Sequence, residues 1–421
     1  MAKGNDRITP ARIHGPRLML IATVVILLAG GLVMIYSASS IVGLNEYGNS
    51  AHYFTRQLSL ILAGLVALAI AAWIPYTAWE SLLSWSVWAF LVVLLILTLV
   101  LGTEELGAKR WVTLFGQSFQ PSEFAKIAIL LVIASLVVRL REQRIDLSTF
   151  IKLMVAAIAV PILLIAVQKD LGTIVIAAFG IIAVFWFGEF PRLPIFIGIG
   201  LLVIIGASSI VFEGYRQARI SAFIDPWSDP LGSGYQIINA FYAFSDGGLF
   251  GVGLGMSRQK FLYLPEAHND FIFAIIGEEL GLVGALAVVI LFILFLFAAF
   301  RIARNAPDLL GRIIAGTSAT LIGSQAFLNI ACVVGLAPVT GKPLPFISYG
   351  GTSVVAALIL VGLILSVSFH SNVPDSASRR RDQLLVLDGG ARSRSPQQER
   401  GIRGQHPRER TLRTSQRKGS R

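Results

Sequence analysis

The sequence is poor in the residues on which small soluble domains depend. It has one cysteine, Cys332, and five histidines in 421 residues. A lone cysteine excludes a disulfide framework or a thiolate metal cluster within the chain. The histidines, His14, His52, His268, His370 and His406, are scattered without zinc-ligand spacing. Charge is scarce as well: 14% of residues are Asp, Glu, Lys or Arg, against about 25% in a soluble domain. What replaces them is apolar, at 55% hydrophobic residues and a mean hydropathy of +0.73. The chain is therefore expected to be solvated mainly by lipid.

In hydrocarbon every backbone polar group needs an internal partner, so apolar runs of about 20 residues read as spanning helices. Such runs fall at 18–38, 58–75, 84–102, 123–140, 152–167, 173–188, 195–212, 271–298, 313–336 and 352–369. The pattern predicts an all-α integral membrane bundle of ten transmembrane helices, with a large extracytoplasmic loop between helices 7 and 8. The first run follows Lys3, Arg7, Arg12 and Arg17 and ends in Ser37-Ala38-Ser39, which has the look of a signal-peptide cleavage site. It is longer than a signal h-region, and many spans follow, so it is read as a retained helix. Ten spans put both termini on one side. Arg139, Arg141, Arg144 and Lys152, then Arg192, then Arg301, Arg304 and Arg312 fall in loops of that same side, which the positive-inside rule makes cytoplasmic.

Three regions follow: a cytoplasmic N-terminal segment (1–17), a polytopic membrane domain (18–370) and a basic cytoplasmic tail (371–421). The tail holds 13 Lys or Arg against 5 Asp or Glu from residue 372 onward and has little apolar content, a composition that predicts disorder. It reads as a solvated positive-inside tail, as an anionic-lipid binder or as a docking segment. Nothing in the chain suggests a nucleic-acid partner. The longest loop, Glu213 to Asp270, contains GYQIINAFYAFSDGGLFGVGLG, which is too apolar and aromatic for disorder. A folded, partly re-entrant segment with short helices near 233–246 is expected.

Polar groups at membrane depth are costly and mark functional candidates. Five clusters stand at the extracytoplasmic ends of spans: AKRW (108–111) with QPSEFAK (120–126), QKDLGT (168–173), RQARISAFIDPW (216–227), SRQKFLYLPEAHNDF (257–271) with GEELG (277–281), and GKPLPFISYGGTS (341–353). Glu123 and Lys126 stand three apart on one helix face, either as a stabilising ion pair or lining a polar cavity with Lys126 facing an anionic headgroup. Ser348 and Gly350 belong to a Gly-Gly turn that enters a helix, where backbone amides can hold a phosphate or merely turn the chain. Asp270 is most simply an N-cap. Yet Glu266, His268, Arg258 and Lys260 lie close in sequence, a mixture suited to an anionic lipid substrate and a proton acceptor. Glu278 and Glu279 lie deeper and are expected to face the bundle interior and bond neighbouring helices.

The motifs QPSEFAK, GLGMSRQKFLYLPEAHNDFIFAIIGEELG and KPLPFISYGGTS together resemble the SEDS family (shape, elongation, division and sporulation), over approximately residues 15–370. The wording of SRQK and KPLPFISYGGTS is closer to the division branch than to the elongation branch. One departure is Lys169 in QKDLGT, where the family usually has proline. The resemblance implies a ten-helix SEDS-type bundle that polymerises lipid II, and handles undecaprenyl-pyrophosphate-linked glycan, on the outer face of the bacterial cytoplasmic membrane. It implies Asp270 as the essential carboxylate, a class B penicillin-binding protein as transpeptidase partner, and other divisome proteins beside it at the septum. Membrane lipids surround it.

Glycosyl transfer needs activation of an acceptor hydroxyl, stabilisation of an oxocarbenium-like centre and neutralisation of a departing pyrophosphate. Asp270 is assigned as the base, Glu266 as a positioning residue, and Arg216, Arg219, Arg258, Lys260 and Lys126 as candidate pyrophosphate contacts. The resemblance also implies use of a divalent cation, Mg or Mn, which would bridge Asp270 and pyrophosphate oxygens; no organic cofactor is expected. Competing readings are a flippase or transporter for the lipid-linked precursor, a non-catalytic division scaffold, and an elongation-type polymerase.

Overall fold

The computed structural model describes residues 11–80, 82–105, 108–114, 117–191, 200 and 214–370. One compact unit spans Met1–Val373. The second, Pro374–Arg421, lies outside the described residues, as do the basic tail and all of the expected seventh span at 195–212 except Gly200. In chain order the helices are α1 (Ala11–Tyr47), α2 (His52–Trp73), α3 (Leu82–Leu101), α4 (Pro121–Arg141), α5 (Leu147–Val167), α6 (Leu171–Phe187), α7 (Gly214–Ile224), α8 (Tyr235–Gly247), α9 (Ile272–Arg304), α10 (Leu309–Val333) and α11 (Ser353–His370). Among the described residues, seven (α1, α2, α3, α5, α9, α10 and α11) are long and apolar enough to cross a membrane, and α6 is a shorter apolar helix. The expected short helix near 233–246 is α8.

Polar residues fix where several helices begin. Asp146, Asp170 and Asp308 cap α5, α6 and α10 by accepting from Thr149 N, Thr173 N and Gly311 N at 3.1, 3.1 and 2.7 Å. Pro121 stands at the first position of α4, where its missing N–H costs nothing. Residues 125–138 of α4 are all buried, so this helix is surrounded by protein rather than lipid. It packs against α3, α5, α6 and α10. α2 and α11 form the most extensive helix pair, and Gly362 lets them approach: a Cβ there would lie 2.6 Å from Leu68 O.

One end of the bundle gathers the arginine-bearing loops. Arg17, near the start of α1, donates to Ser368 Oγ at 2.9 Å, at the end of α11. Tyr76 donates to Asp308 at 2.7 Å, Arg312 pairs with Glu189 at 2.6 Å, and Arg139 donates to the Glu80 carbonyl at 2.7 Å. The opposite end carries a three-stranded antiparallel meander, β1 (Thr103–Glu105), β2 (Ala108–Leu114) and β3 (Gln117–Phe119). The sequence reading had no strands here; the three are too short for a period-2 pattern to stand out from the loop.

Two helices differ from the expected spans. α1 reaches Tyr47, nine residues beyond the expected end at 38. α9 is not a continuous helix: Gly281 has φ of 68° and interrupts it. The amides of Leu282 and Val283 donate to Gly248 O and Leu249 O (2.9 and 3.2 Å), while the carbonyls of Glu278 and Glu279 accept from Val252 N and Gly253 N (3.0 and 3.1 Å). The 248–253 segment thus supplies the partners that helical continuity would have given, which is how a break at this depth stays satisfied.

Candidate active site

Asp270 sits in the turn that leads into α9 but does not cap it. The cap residue is Phe271, with no side-chain cap bond, which corrects the N-cap reading. Three neighbours frame the carboxylate. Asn329 on α10 donates through Nδ2 to the Asp270 carbonyl and to the Lys342 carbonyl, both at 2.8 Å, and so ties the two loops together. Arg219, on α7, donates to Val339 O at 2.7 Å. A Cβ built on Gly341 would lie 3.9 Å from both Arg219 Nη2 and Asp270 Oδ2, so the guanidinium and the carboxylate converge on that glycine. Gly341 has φ of 68°, a left-handed conformation that side chains resist.

Asp270 Oδ1 is shut from solvent and has no hydrogen-bond partner among the described residues. Burial pushes the Asp270 carboxyl up to about 7; the Glu266 carboxylate adds to the rise, and Arg219 opposes it. Glu266 itself has φ of 54° and accepts from Asn269 Nδ2, which holds it beside the site. His268 is buried in an aromatic pair, 4.5 Å from the Tyr53 ring and 5.8 Å from the Tyr349 ring, and its carbonyl accepts from Tyr349 N at 2.9 Å. Burial pushes its imidazole down, towards the neutral form.

A second cluster lies among α4, α6 and the 334–352 loop. Glu123 accepts from Lys126 (2.7 Å) and Lys342 (3.0 Å); Lys342 also pairs with Asp170 (3.0 Å). Gln325 accepts from Lys126 at 2.7 Å and donates to Pro343 O, while Gln120, Ser122 and Thr173 all donate to Asp170. Two acids and two bases, all buried, thus cancel within one hydrogen-bonded network, the condition under which charge is tolerated inside a bundle. The Glu123–Lys126 pair exists as read from sequence, but Lys126 faces its partners rather than an open cavity.

The other sequence candidates separate. Lys260 is buried and pairs with Glu279 at 3.1 Å, where Ser37 of α1 also donates. Glu278 accepts from Ser257 Oγ and from the Arg258 amide (2.7 Å). The two glutamates therefore latch the 255–260 loop, and only Glu279 reaches a neighbouring helix. Lys260 serves that latch, and the Arg258 side chain is exposed. The side chain of Arg216 lies outside the described residues.

The SYGGTS turn is not an open nest. Tyr349 N donates to His268 O and Ser353 N to Gly350 O, while Ser348 Oγ accepts from Leu344 N at 2.8 Å. Ser348 and Gly350 thus shape the loop that carries Lys342.

Asn329, Gln325 and Lys342 escaped the sequence reading as site residues. The two amides lie inside the apolar span 313–336, and only their i,i+4 spacing on one helix face hints at a shared role. Lys169 occupies φ of 58°, which proline cannot adopt. Arg110 of β2 holds this turn by donating to Gln168 O and Lys169 O at 3.0 and 2.9 Å.

Comparison with known proteins gives the family. The cell cycle protein family of FtsW, RodA and SpoVE matches residues 17–373. Stage V sporulation protein E of Bacillus subtilis (strain 168) is 39% identical over 365 residues, which cover 85% of this chain and 98% of that protein. A probable peptidoglycan glycosyltransferase FtsW of Geobacter sp. (strain M18) is 38% identical over 363 residues, with the same two coverages. Among solved structures, RodA of Thermus thermophilus superposes with a TM-score of 0.61 at 26% identity, over 84% of this chain and 97% of that one. A chain from a peptidoglycan synthase complex that coordinates polymerization and crosslinking gives 0.66 at 27% identity, over 83% and 96%. With the family match running from the first helix to the last, this chain belongs to the FtsW, RodA and SpoVE family of cell cycle proteins.

Proposed function

We propose that this chain is a peptidoglycan glycosyltransferase of the division branch, with Asp270 as its general base. The chain polymerises lipid II. The observation that carries the assignment of the base is the buried, partnerless Oδ1 of Asp270 beside the Arg219 guanidinium. A carboxylate shielded from water and raised in pKa is a stronger base than a solvated one. In the reaction the 4-hydroxyl oxygen of the acceptor sugar attacks the anomeric carbon of the donor, and its proton passes to Asp270. The bond from the anomeric carbon to pyrophosphate breaks, and the lipid pyrophosphate leaves with the electron pair. Arg219, which converges with Asp270 on Gly341, is a cation placed to meet that charge. Lys126, Lys342 and Lys260 are neutralised by Glu123, Asp170 and Glu279, so they hold the scaffold.

Among the described residues no three ligating side chains converge. Asp270 and the neighbouring Glu266 are the donors the protein would give a divalent cation. Mg and Mn suit such a set, since Mg usually takes one or two carboxylates and completes its shell with substrate phosphate and water. Bound there, the ion would offset charge on the pyrophosphate.

The ten-span topology is part of the same proposal. It is supported by Arg17 meeting Ser368 at one end of the bundle, with the arginine-bearing loops beside them. That end is cytoplasmic by the positive-inside rule, and Asp270 then faces outward, where lipid II is polymerised. A class B penicillin-binding protein is the partner transpeptidase, in keeping with the synthase complex to which the fold is similar. The flippase reading would need Glu278 or Glu279 to titrate during transport, and both are engaged in the loop latch. The relatives named FtsW, at 36–40% identity, favour a septal role over elongation.

The test is Asp270→Asn, assayed as purified protein with its partner and lipid II. Asparagine keeps shape and loses the proton acceptor, so polymer formation is expected to fall at least about 100-fold in a folded protein. Near-normal polymer would remove Asp270 as the base.

A further inference from the structure

At the arginine-rich end of the bundle, away from Asp270, a cavity of about 390 Å³ is lined by Thr77, Glu80, Arg139, Arg144 and Ile145. That volume lies in the range of small-ligand sites. We propose that it binds the phosphate headgroup of an anionic phospholipid of the cytoplasmic leaflet.

Three observations converge on a lipid. The first is charge. Glu80, the acid in the wall, is already bonded by Arg144, which also pairs with Glu142 at 2.6 Å. Arg139 points one guanidinium nitrogen at the Glu80 carbonyl, and a guanidinium carries five N–H donors. Among the lining residues two arginines therefore stand against one glutamate, with a hydroxyl at Thr77, while Glu142, outside the lining, offsets part of the Arg144 charge.

The second is the rim. Leu82 at the start of α3 is 77% exposed, and Leu147 at the start of α5 is 61% exposed. Each stands two residues beyond a wall residue, Glu80 or Ile145, on an exposed part of its helix. A polar pocket continued by apolar flanks fits an amphiphile better than a free anion.

The third is depth. Trp73 is exposed at the end of α2, and Trp85 and Trp88 form an edge-on pair 5.6 Å apart one turn into α3. Tryptophans collect at the headgroup level of a membrane, which sets the cavity at the height of lipid phosphates. Basic pockets between helices on the cytoplasmic side are known places for anionic headgroups. Arg139 and Arg141 also complement the C-terminal end of α4, and that role is compatible with a bound lipid.

The leaflet assignment rests on the topology inferred above, which cysteine labelling tests separately. The site itself is tested by native mass spectrometry of the full-length protein in detergent with equal amounts of phosphatidylglycerol and phosphatidylethanolamine. Phosphatidylglycerol is expected to be retained in preference. Arg139→Gln/Arg144→Gln should reduce its retention at least about fivefold, since arginines near such a surface attract anionic headgroups. Thr77→Trp, which fills the cavity and leaves both arginines in place, should do the same. Arg301→Gln/Arg304→Gln, on the same end but outside the cavity, should change nothing. Equal loss in the control pair, or full retention in Thr77→Trp, would overturn the proposal. Displacement of the lipid by millimolar inorganic phosphate would assign the site to free phosphate instead.

Discussion

At Asp270 the burial that makes ionisation costly also makes the carboxylate basic. With its pKa raised to about 7, the fraction able to accept a proton grows as pH rises through 7. The initial rate of polymer formation is therefore expected to climb with pH to a plateau, with a midpoint near 7. Glu266 raises that pKa by its negative charge, so Glu266→Gln should move the rising limb to lower pH while costing less activity than Asp270→Asn. A limb that stays in place would show that Glu266 does not act on Asp270. Asn329 reaches the reaction through the backbone: its two 2.8 Å bonds fix the Asp270 and Lys342 loops against each other. Asn329→Leu keeps the size and removes both donors. Misplacing a reacting group by about 1 Å can cost 100-fold in rate, so turnover should fall about tenfold or more with little change in the lipid II concentration needed for half-maximal rate. An equal loss in both would point to a general loss of structure.

Among the elements, α9 carries a sharp local demand. Gly281 must hold φ of 68°, and a Cβ there would meet Gly251 N at 2.4 Å and Leu249 O at 2.5 Å, both backbone atoms with little room to retreat. Gly281→Ala should therefore destabilise the protein by about 2 kcal/mol or more, with left-handed strain alone contributing 1–2 kcal/mol. The comparison is Gly30→Ala in α1, where an added Cβ meets nothing within 4 Å. Thermal unfolding in detergent should separate the two variants, and equal midpoints would mean the broken helix relaxes freely. The break matters for the site because Glu278 and Glu279, just before it, hold the 255–260 loop that leads to Asp270.

For the molecule as a whole, the informative feature is that the two ends of the bundle differ in chemistry. One gathers Arg17, Arg139, Arg144 and Arg312; the other gathers the meander, α7, α8 and Asp270. Single cysteines at Ser233 and Asn305, in a Cys332→Ser background, are expected to react with an impermeant thiol reagent from opposite sides of the membrane. Labelling of both from outside intact cells would refute the ten-span arrangement. Serine is the suitable replacement at 332, since it can keep the hydrogen bond to Pro338 O.

Membrane residence, most of the long apolar helices and the loops that bear arginine were legible in the sequence, because hydrocarbon imposes helical runs and translocation imposes the charge bias. The family was legible from three motifs. Partnerships close in sequence were legible too, since the Glu123–Lys126 pair three residues apart was one of two readings. Distant ones were not: Lys260 reads as a substrate contact because a lone lysine near a span end is ambiguous, and folding pairs it with Glu279, 19 residues away. Arg219 was one basic residue among several until α7 brought it to Gly341 and Asp270. Asn329 and Lys342 were hidden inside apolar or loop text, since nothing local marks a side chain whose partners lie in another segment. The break at Gly281 was equally silent, because a glycine in an apolar run is ordinary and its φ depends on the loop that comes to bond there. Periodicity and composition set which segments enter the membrane. Which charges cancel, and which carboxylate oxygen is left without a partner among the described residues, is decided only when the helices pack.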